Sequence, residues 1–401
     1  MKARYRYRLY PTLQQQRALA KVFGCTRVVW NDSLALVCSV PEGEKWPSNA
    51  ELQKLCITQA KRTVERAWLS EVSNIPLQQS VADLGVAFKY WFASLKGKSR
   101  ARFPRFKSRH GKQSARFRKG GFSLRGNKLF LAKLGLFKVN WSRPLPAEPS
   151  SVTVLKNQAG QYHVSFVVEV QQRSVEPVRE SIGLDLGIKT FAFPSVGKLI
   201  EAPDYSRLDR RIRRLQKRLA RQQKGSNRRA VTKQKIAKLH LKIRNIRKDF
   251  LHKLSTGLIR ENQSISLEDL NVSGLVRNRR LARAISQQGW REFRTLLESK
   301  AAQYVNREVQ VISRWEPTSQ VCSACGFRWG KLDLSVRSVR CVSCGALHDR
   351  DQNAAKNIER SGRRMSEDKG APRAHQSTLA VALPAEALSQ PYQGEQLCLS
   401  L

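Results

Sequence analysis

The sequence predicts a multidomain α+β protein, and three observations support this fold class. Strand-like segments at residues 2–10 and 121–170 enclose a mostly helical stretch, as expected of one β-domain interrupted by a helical insertion. Further along, short apolar strands alternate with amphipathic helices, which indicates an α/β layer. Two Cys-x-x-Cys pairs then predict a small metal-binding element. A chain of 401 residues is long enough for two or three domains with cores of their own.

The elements of the first half follow from local patterns. Residues 2–10 alternate arginines with tyrosine or leucine, the period of a strand with one basic face. Thr12 and Gln15 form a capping box. Helices are expected over Leu13–Phe23 and Thr26–Val37. Further strands are expected at Lys128–Leu131, at Phe137–Trp141 and in a hairpin that turns at Gly160.

Residues 96–120 are a basic run that contains Phe103, Phe106 and Phe117. Basic side chains mixed with aromatic ones suit contact with a nucleic-acid backbone and stacking on its bases. A plain solvated loop is the alternative, and the interleaved phenylalanines favour nucleic acid.

The second half carries two strands with acidic residues. Ile182–Gly187 contains Asp185, and Ser264–Asp269 contains Glu268 near its end. Two helices with heptad-like apolar seams lie between these strands and form a helical hairpin that turns at residues 225–227. From residue 205 to residue 253 there are 19 Lys and Arg against two Asp, a density that suggests a phosphate-lined groove. A helix over Trp290–Val305 and a strand over Val309–Ile312 follow.

The whole chain is strongly basic, with 74 Lys and Arg against 31 Asp and Glu and a net charge of +43. So many like charges repel one another in a compact protein unless a polyanion binds, so a nucleic-acid partner is expected rather than a merely soluble basic surface. No signal peptide or apolar membrane span is visible, and we expect a cytoplasmic protein with no membrane partner. Four scattered cysteines, without the spacing of a disulfide framework, agree with a reducing compartment: Cys25, Cys38, Cys56 and Cys398.

The most specific pattern lies near the end of the chain. Cys322, Cys325, Cys341 and Cys344 form two Cys-x-x-Cys turns separated by 15 residues. Two such turns supply four thiolates for one tetrahedral Zn²⁺. An acidic turn, residues 349–351, follows within ten residues and begins a predicted helix.

Three carboxylates stand out against the basic background: Asp185, Glu268 and Asp351. If they converge, they can hold two divalent cations about 3.5–4 Å apart, and Mg²⁺ suits such an oxygen-only site. Each also has a simpler interpretation. Asp185 is then a turn residue, Glu268 a salt-bridge partner and Asp351 a helix N-cap.

The order of these motifs resembles the RuvC/RNase H-like nucleases, and the full set resembles the TnpB family of transposon-encoded RNA-guided nucleases, relatives of the type V CRISPR effectors. The similarity covers nearly the whole chain up to about residue 360. It implies that Asp185, Glu268 and Asp351 are the catalytic carboxylates, because Asp351 rather than Asp349 precedes the x-Asn-Ala-Ala signature, and that the four cysteines bind zinc. The matching segments are YRLYPTLQQQ, GCTRVVWN, FPRFKSR, IGLDLGIK, LEDLNVSGL, GWREFRTLLESKA, TSQVCSACG and CVSCGALHDRDQNAAKNI.

The resemblance also implies a domain organisation. Residues 1–10 and 121–175 would form a β-barrel (wedge) domain, and residues 11–120 a helical recognition insertion. The RuvC-like nuclease domain would span 180–320 and include the basic hairpin 205–260. A zinc-ribbon-like element (321–346), the final RuvC motif (347–360) and a disordered tail (361–401) complete the chain.

The implied activity is RNA-guided DNA cleavage with two Mg²⁺ ions and one structural Zn²⁺. The expected partners are a guide RNA from the transposon end and a double-stranded target DNA beside a short transposon-adjacent motif, with one protein per RNA. Two alternatives remain from the sequence: a guided DNA-binding protein or repressor with little cleavage, and an accessory transposase.

Overall fold

The structure is a computed structural model that describes residues 1–98, 100–333 and 335–370. The described chain divides into two compact units, one formed by residues 1–170 and the other by the residues from 171 onward.

The first unit combines a sheet with a helical region. Its sheet has seven strands in the order β2-β6-β7-β1-β5-β4-β3, paired antiparallel throughout. The helical region also contains a π-helical turn and two short 3-10 turns between residues 54 and 71. In chain order the elements are β1 (Lys2–Tyr10), α1 (Leu13–Cys38), α2 (Asn49–Gln53), α3 (Asn74–Leu95), β2 (Gln113–Arg118), β3 (Phe122–Arg125), β4 (Lys128–Leu131), β5 (Gly135–Asn140), β6 (Ser151–Lys156) and β7 (Tyr162–Glu169).

The seven-stranded sheet curls back on itself. Its two edge strands, β2 and β3, are joined by a turn of only three residues, so both edges lie close together although they do not pair. Side chains of the central strand β1 alternate between the two faces of the sheet as predicted: Tyr7 and Leu9 are buried on one face, and the arginines lie on the other. The predicted hairpin is confirmed, because Val154 of β6 lies opposite Val164 of β7.

The capping box at Thr12 and Gln15 is confirmed, but the helix it begins is longer than predicted. One continuous helix replaces the two expected over residues 13–23 and 26–37. Gly24 does not interrupt it, because Phe23 and Cys25 on either side are buried in the core, and that packing outweighs the weak helix propensity of one glycine.

The basic segment 96–120 is less open than expected. Part of it docks on α1: the indole of Trp30 donates to the carbonyl of Arg105 at 3.1 Å, and Asn31 exchanges two hydrogen bonds with the backbone of Lys107. Phe117 belongs to β2 and is fully buried, so the prediction that it is available for base stacking is wrong. The alternation of β2 directs its ring into the core. Phe106 is the exposed aromatic of the segment.

The second unit is built on a four-stranded sheet in the order β11-β10-β8-β9. Strand β10 pairs parallel with both β8 and β11, and β9 is an antiparallel edge. A separate two-stranded ribbon pairs β12 with β13. The elements are β8 (Arg179–Leu186), β9 (Ala192–Pro194), α4 (Ser206–Ala220), α5 (Asn227–Glu261), β10 (Asn262–Glu268), α6 (Val272–Leu275), α7 (Ala282–Gln288), α8 (Trp290–Ala301), β11 (Glu308–Ile312), β12 (Ser338–Arg340), β13 (Leu347–Asp349) and α9 (Arg350–Gly370).

Helix α9 packs across β8, β10 and β11 and is longer than predicted. It continues to Gly370, so the expectation of disorder from residue 361 is wrong for its first ten residues; residues 371–401 lie outside the described chain. Two glycines allow this close packing. A Cβ atom added to Gly183 of β8 would overlap the backbone of α9 at Ala355, and one added to Gly362 of α9 would overlap the Ser266 side chain of β10.

Two expectations concern the chain as a whole. In the part that the structure describes, no helix is long and apolar enough to cross a membrane. Cys25 and Cys56 are free thiols, and Cys398 lies outside the described residues.

Candidate active site and metal centre

The strand pairing brings two of the predicted carboxylates to one edge of the four-stranded sheet. Leu184 of β8 lies opposite Leu267 of β10, so the next residues, Asp185 and Glu268, are neighbours at the carboxyl ends of parallel strands. Ligands commonly bind at this edge of an open α/β sheet. Asp351 lies in the first turn of α9, which packs on both strands.

Electrostatics link all three carboxylates. Burial, followed by repulsion from Glu268 and Asp351, raises the pKa of Asp185 to about 7, and the nearby Arg350 guanidinium opposes the shift only partly. A buried carboxyl group whose pKa is raised by acidic neighbours is typical of sites that hold a cation. The simpler interpretation of Asp185 as a turn residue is wrong, because Asp185 is half-buried within strand β8.

Glu268 is fixed by a side chain that the sequence did not indicate. The hydroxyl of the buried Thr318 donates to Oε1 of Glu268 at 2.6 Å. Burial raises the pKa of Glu268, and this hydrogen bond opposes the rise. No Lys or Arg of the described chain forms an ion pair with Glu268, so the salt-bridge alternative is not supported.

The Asp351 carboxylate is available because its neighbour caps the helix. The backbone N–H groups of Asp351 and Gln352 donate to Oδ1 of Asp349 at 3.0 and 2.9 Å. The N-cap alternative therefore applies to Asp349. Asp351 instead accepts from Nη1 of Arg337 at 2.9 Å, a contact that the sequence did not reveal because Arg337 lies in the loop between the two cysteine pairs.

The four cysteines form the predicted cluster. Their Sγ atoms all lie within 4.8 Å of one another, with Cys322–Cys344 at 3.7 Å and Cys325–Cys341 at 3.6 Å. Zn–S bonds of about 2.3 Å in a tetrahedron require sulfurs about 3.7–3.8 Å apart, so the arrangement fits one zinc ion. The backbone amide of Phe327 lowers the pKa of Cys325 to about 7, which favours the thiolate.

The described residues contain no other group of three or more potential metal ligands that is as tight as the cysteine cluster. Asp185 and Glu268 share one edge of the sheet and Asp351 lies in the first turn of the helix packed on it, but Asp351 is turned toward Arg337 and Glu268 toward Thr318. His348 is a further missed neighbour of the cluster, because its Nε2 lies 3.1 Å from Sγ of Cys322.

Two asparagines of α9 connect the cysteine cluster with the carboxylates. Asn353 donates to the carbonyl of Val321 at 2.7 Å and accepts from the Ser323 N–H at 2.8 Å. Asn357 donates to the carbonyls of Thr318 and Val321 at 2.8 and 2.7 Å. The segment that carries both the Glu268 partner and the first cysteine is thus held on the helix that carries Asp351.

The predicted basic hairpin is present as α4 and α5. The buried Asp209 anchors its base, binding Arg283 at 2.6 Å and Gln287 at 2.7 Å. Residues 210–244 contain 15 Lys and Arg and no acidic residue, and none of these cations forms an ion pair with a described carboxylate. The hairpin therefore presents a long unneutralised positive surface.

Comparison with protein-family models gives three matches. The OrfB_IS605 family, described as "Probable transposase", matches residues 165–279, and the "Cas12f1-like, TNB domain" matches residues 290–358. A "Helix-turn-helix domain" model of the OrfB_IS605 family matches residues 1–37, which here form β1 and the single helix α1.

Two individual protein sequences extend the match. A Streptomyces pristinaespiralis protein, provisionally named an RNA-guided DNA endonuclease, is 42% identical over 90% of each chain. InsQ of Escherichia coli K12, provisionally named in the same way, is 32% identical over 89% of this chain and 92% of its own. A Cas12f1–sgRNA–target DNA complex aligns with a TM-score of 0.49 at 15% identity over 86% of this chain and 81% of that one. The identity to the two bacterial proteins over nearly their full lengths shows that this chain belongs to the OrfB_IS605 (TnpB) family.

Proposed function

We propose that this protein is an RNA-guided DNA endonuclease of a transposon, and that Asp185, Glu268 and Asp351 are its catalytic residues. The observation that carries the proposal is geometric: Asp185 and Glu268 are neighbours at the carboxyl ends of parallel strands, and Asp351 lies in the first turn of the helix that packs on both strands. Burial and the two other carboxylates also raise the pKa of Asp185. In a protein with a net charge of +43, such a concentration of negative charge is best explained by cation binding.

The three carboxylates would hold two Mg²⁺ ions, which suit an all-oxygen donor set. When bound, the ions would activate a water molecule and stabilise the leaving oxygen of the phosphodiester. Thr318 would orient Glu268 for this role. Arg337, which donates to Oδ2 of Asp351, would compete with a cation for that carboxylate.

The zinc ion would be structural, bound by Cys322, Cys325, Cys341 and Cys344. Protein thiolates would occupy all four coordination positions, which would leave none for substrate. The hydrogen bonds of Asn353 and Asn357 explain how the zinc element would affect catalysis. They fix the 318–323 segment, and therefore Glu268, relative to α9.

The domain roles follow from the same assignment. The curled sheet, residues 1–10 and 121–175, would be the wedge domain, and residues 11–120 the recognition insertion. Residues 180–320 would be a RuvC-like domain, completed by residues 347–360 after the zinc-ribbon-like element at 321–346. The α4–α5 hairpin would bind guide RNA, since its unpaired cations can replace the counterions of phosphate groups.

The test is whether RNA directs the cut. The chain would be expressed together with the DNA that follows its gene, and the RNA that copurifies would be sequenced. We expect one discrete RNA, and we expect cleavage of a duplex that matches its variable end beside a short flanking motif. Replacing that end of the RNA should move the cut to the new matching duplex. Cleavage that persists after removal of the RNA would contradict guiding, and binding without cleavage would support the alternative of a repressor.

A further inference from the structure

Trp315 is the most exposed of the eight tryptophans in the chain, with 86% of its surface accessible. It lies in the loop that connects β11 to the first cysteine pair. One exposed apolar side chain needs no explanation by itself. The structure of the surrounding loop is what distinguishes Trp315.

The residues on both sides of Trp315 are fixed to the protein. Arg314 forms an ion pair with Asp269, directly after Glu268 in the chain. On the other side, Glu316 accepts a hydrogen bond from Ser361 of α9 at 3.1 Å. The turn is closed by a hydrogen bond from the Glu316 N–H to the carbonyl of Ser313 at 3.1 Å. The indole is therefore held out from an anchored turn.

The same turn lies beside the carboxylates. Ile312, three residues before Trp315, is the register partner of Glu268, and Thr318, three residues after it, binds the Glu268 carboxylate. Three residues of extended chain span at most about 10 Å, so the backbone of Trp315 lies within about 10 Å of both points. The exposed ring thus belongs to a loop beside the candidate active site.

We propose that Trp315 binds the DNA strand that is cut, by stacking on an unpaired base next to the scissile phosphate. This inference rests on the proposed endonuclease function. When a guide RNA pairs with one strand of the target, the other strand is displaced, and its unpaired bases expose their faces. An enzyme guided by RNA must accept any sequence at the cut, and stacking on an aromatic ring is tolerant of sequence.

The experiment measures stacking without requiring cleavage. The Asp185→Ala chain with its copurified RNA would be mixed with matching duplexes that carry 2-aminopurine at successive positions of the strand. We expect quenched fluorescence at one position near the cut, loss of this quenching when Trp315→Ala is added, and its retention with Trp315→Phe. An unchanged fluorescence profile in the Trp315→Ala protein would overturn the proposal.

Cleavage by chains with Asp185 intact gives the second readout. Trp315→Ala should slow single-turnover cleavage by about 5- to 100-fold, the range expected for one lost stack, and Trp315→Phe should restore most of the rate. An abasic site at the stacked position should remove the difference between Trp315 and Trp315→Ala. Equal rescue by Trp315→Leu would indicate a general apolar contact and overturn stacking. If the unaltered chain cuts nothing, the endonuclease function fails, and the fluorescence result still decides whether Trp315 stacks.

Discussion

Residues 318–323 connect the cysteine cluster with the carboxylate site, because they include both Cys322 and Thr318, the partner of Glu268. The two sites are nevertheless built in different ways. The four sulfurs come from 23 consecutive residues and already have the spacing that zinc requires. The carboxylates come from β8, β10 and α9, which are far apart in the sequence, and they are turned toward Arg337 and Thr318. A structural metal site can be assembled by local turns. This candidate catalytic site depends on tertiary packing, which places Asp185 where Glu268 and Asp351 repel its negative charge.

If the cysteine cluster supports the carboxylate site, loss of the cluster should reduce cleavage more than the other changes described below. Cys341→Ser should release zinc, because three thiolates hold the ion much less tightly than four, and should reduce cleavage at least about 100-fold. Metal content and cleavage rate would be measured on the same sample. Cys38→Ser, which alters a cysteine of α1 outside the cluster, should retain both. Full activity in a zinc-free protein would break the proposed connection.

Tertiary packing can be tested at Gly183. Gly183→Ala places a methyl group against the backbone of α9 and should lower the free energy of unfolding by about 3 kcal/mol, moving Asp351 away from Asp185. Gly257→Ala is the matched control, because that glycine lies inside α5 with open space around it. It should raise stability by about 0.5–1 kcal/mol. Thermal unfolding of both variants would reveal the contrast, and equal melting temperatures would contradict it.

The raised pKa of Asp185 predicts that the stability of the folded protein depends on pH when no divalent cation is bound. The folded-state pKa of Asp185 is about 7, above the ordinary value of 3.8, so the folded protein binds this proton more tightly than the unfolded chain does. The folded state should therefore lose up to about 3 kcal/mol of stability from this group as the pH rises from about 4 to about 7.

Asp185→Asn removes this penalty without a large change in shape. The variant should be more stable than the unaltered protein at pH 8, and its advantage should disappear near pH 4. Denaturant unfolding in the presence of a chelator for Mg²⁺ measures the difference. A constant difference between pH 4 and pH 8 would show that Asp185 is not under this strain.

A smaller effect is expected at Thr318, which we regard as a positioning residue. Thr318→Val keeps the volume but removes the hydrogen bond to Glu268, and should slow cleavage about tenfold while raising the Mg²⁺ concentration needed for half-maximal rate. Thr318→Ser should restore both values, because it retains the hydroxyl group. If valine and serine behave alike, the hydroxyl does not orient Glu268.

The sequence predicted elements whose signal is local. Alternation identified β1, the capping box located the start of α1, and cysteine spacing identified the metal-binding cluster. Elements that depend on distant packing were missed or misjudged. The sequence predicted that Phe117 is available for stacking, but the alternation of β2 places its ring in the core. The sequence also did not predict the final ten residues of α9, which form helix because Gly362 allows α9 to pack closely against β10 and β11.

The candidate site shows the same division. Asp185, Glu268 and Asp351 could be selected from strand and helix patterns together with the family resemblance. Thr318 and Arg337 could not, because a hydroxyl and a guanidinium in loops have no periodic signal, and only the folded chain brings them to Glu268 and Asp351. Asn353 and Asn357 lie four residues apart on one face of α9, but their backbone partners are 30 or more residues away.

The most direct test of the central claim is single-turnover cleavage of an RNA-matched duplex by four variants. Asp185→Ala, Glu268→Ala and Asp351→Ala should each abolish cleavage while zinc content and bound RNA remain unchanged. Asp349→Asn should cut normally, because asparagine caps the helix as aspartate does. Undiminished cleavage by any of the three alanine variants would contradict the assignment. If Asp349→Asn cut nothing while Asp351→Ala remained active, the catalytic carboxylate of α9 would be Asp349 instead.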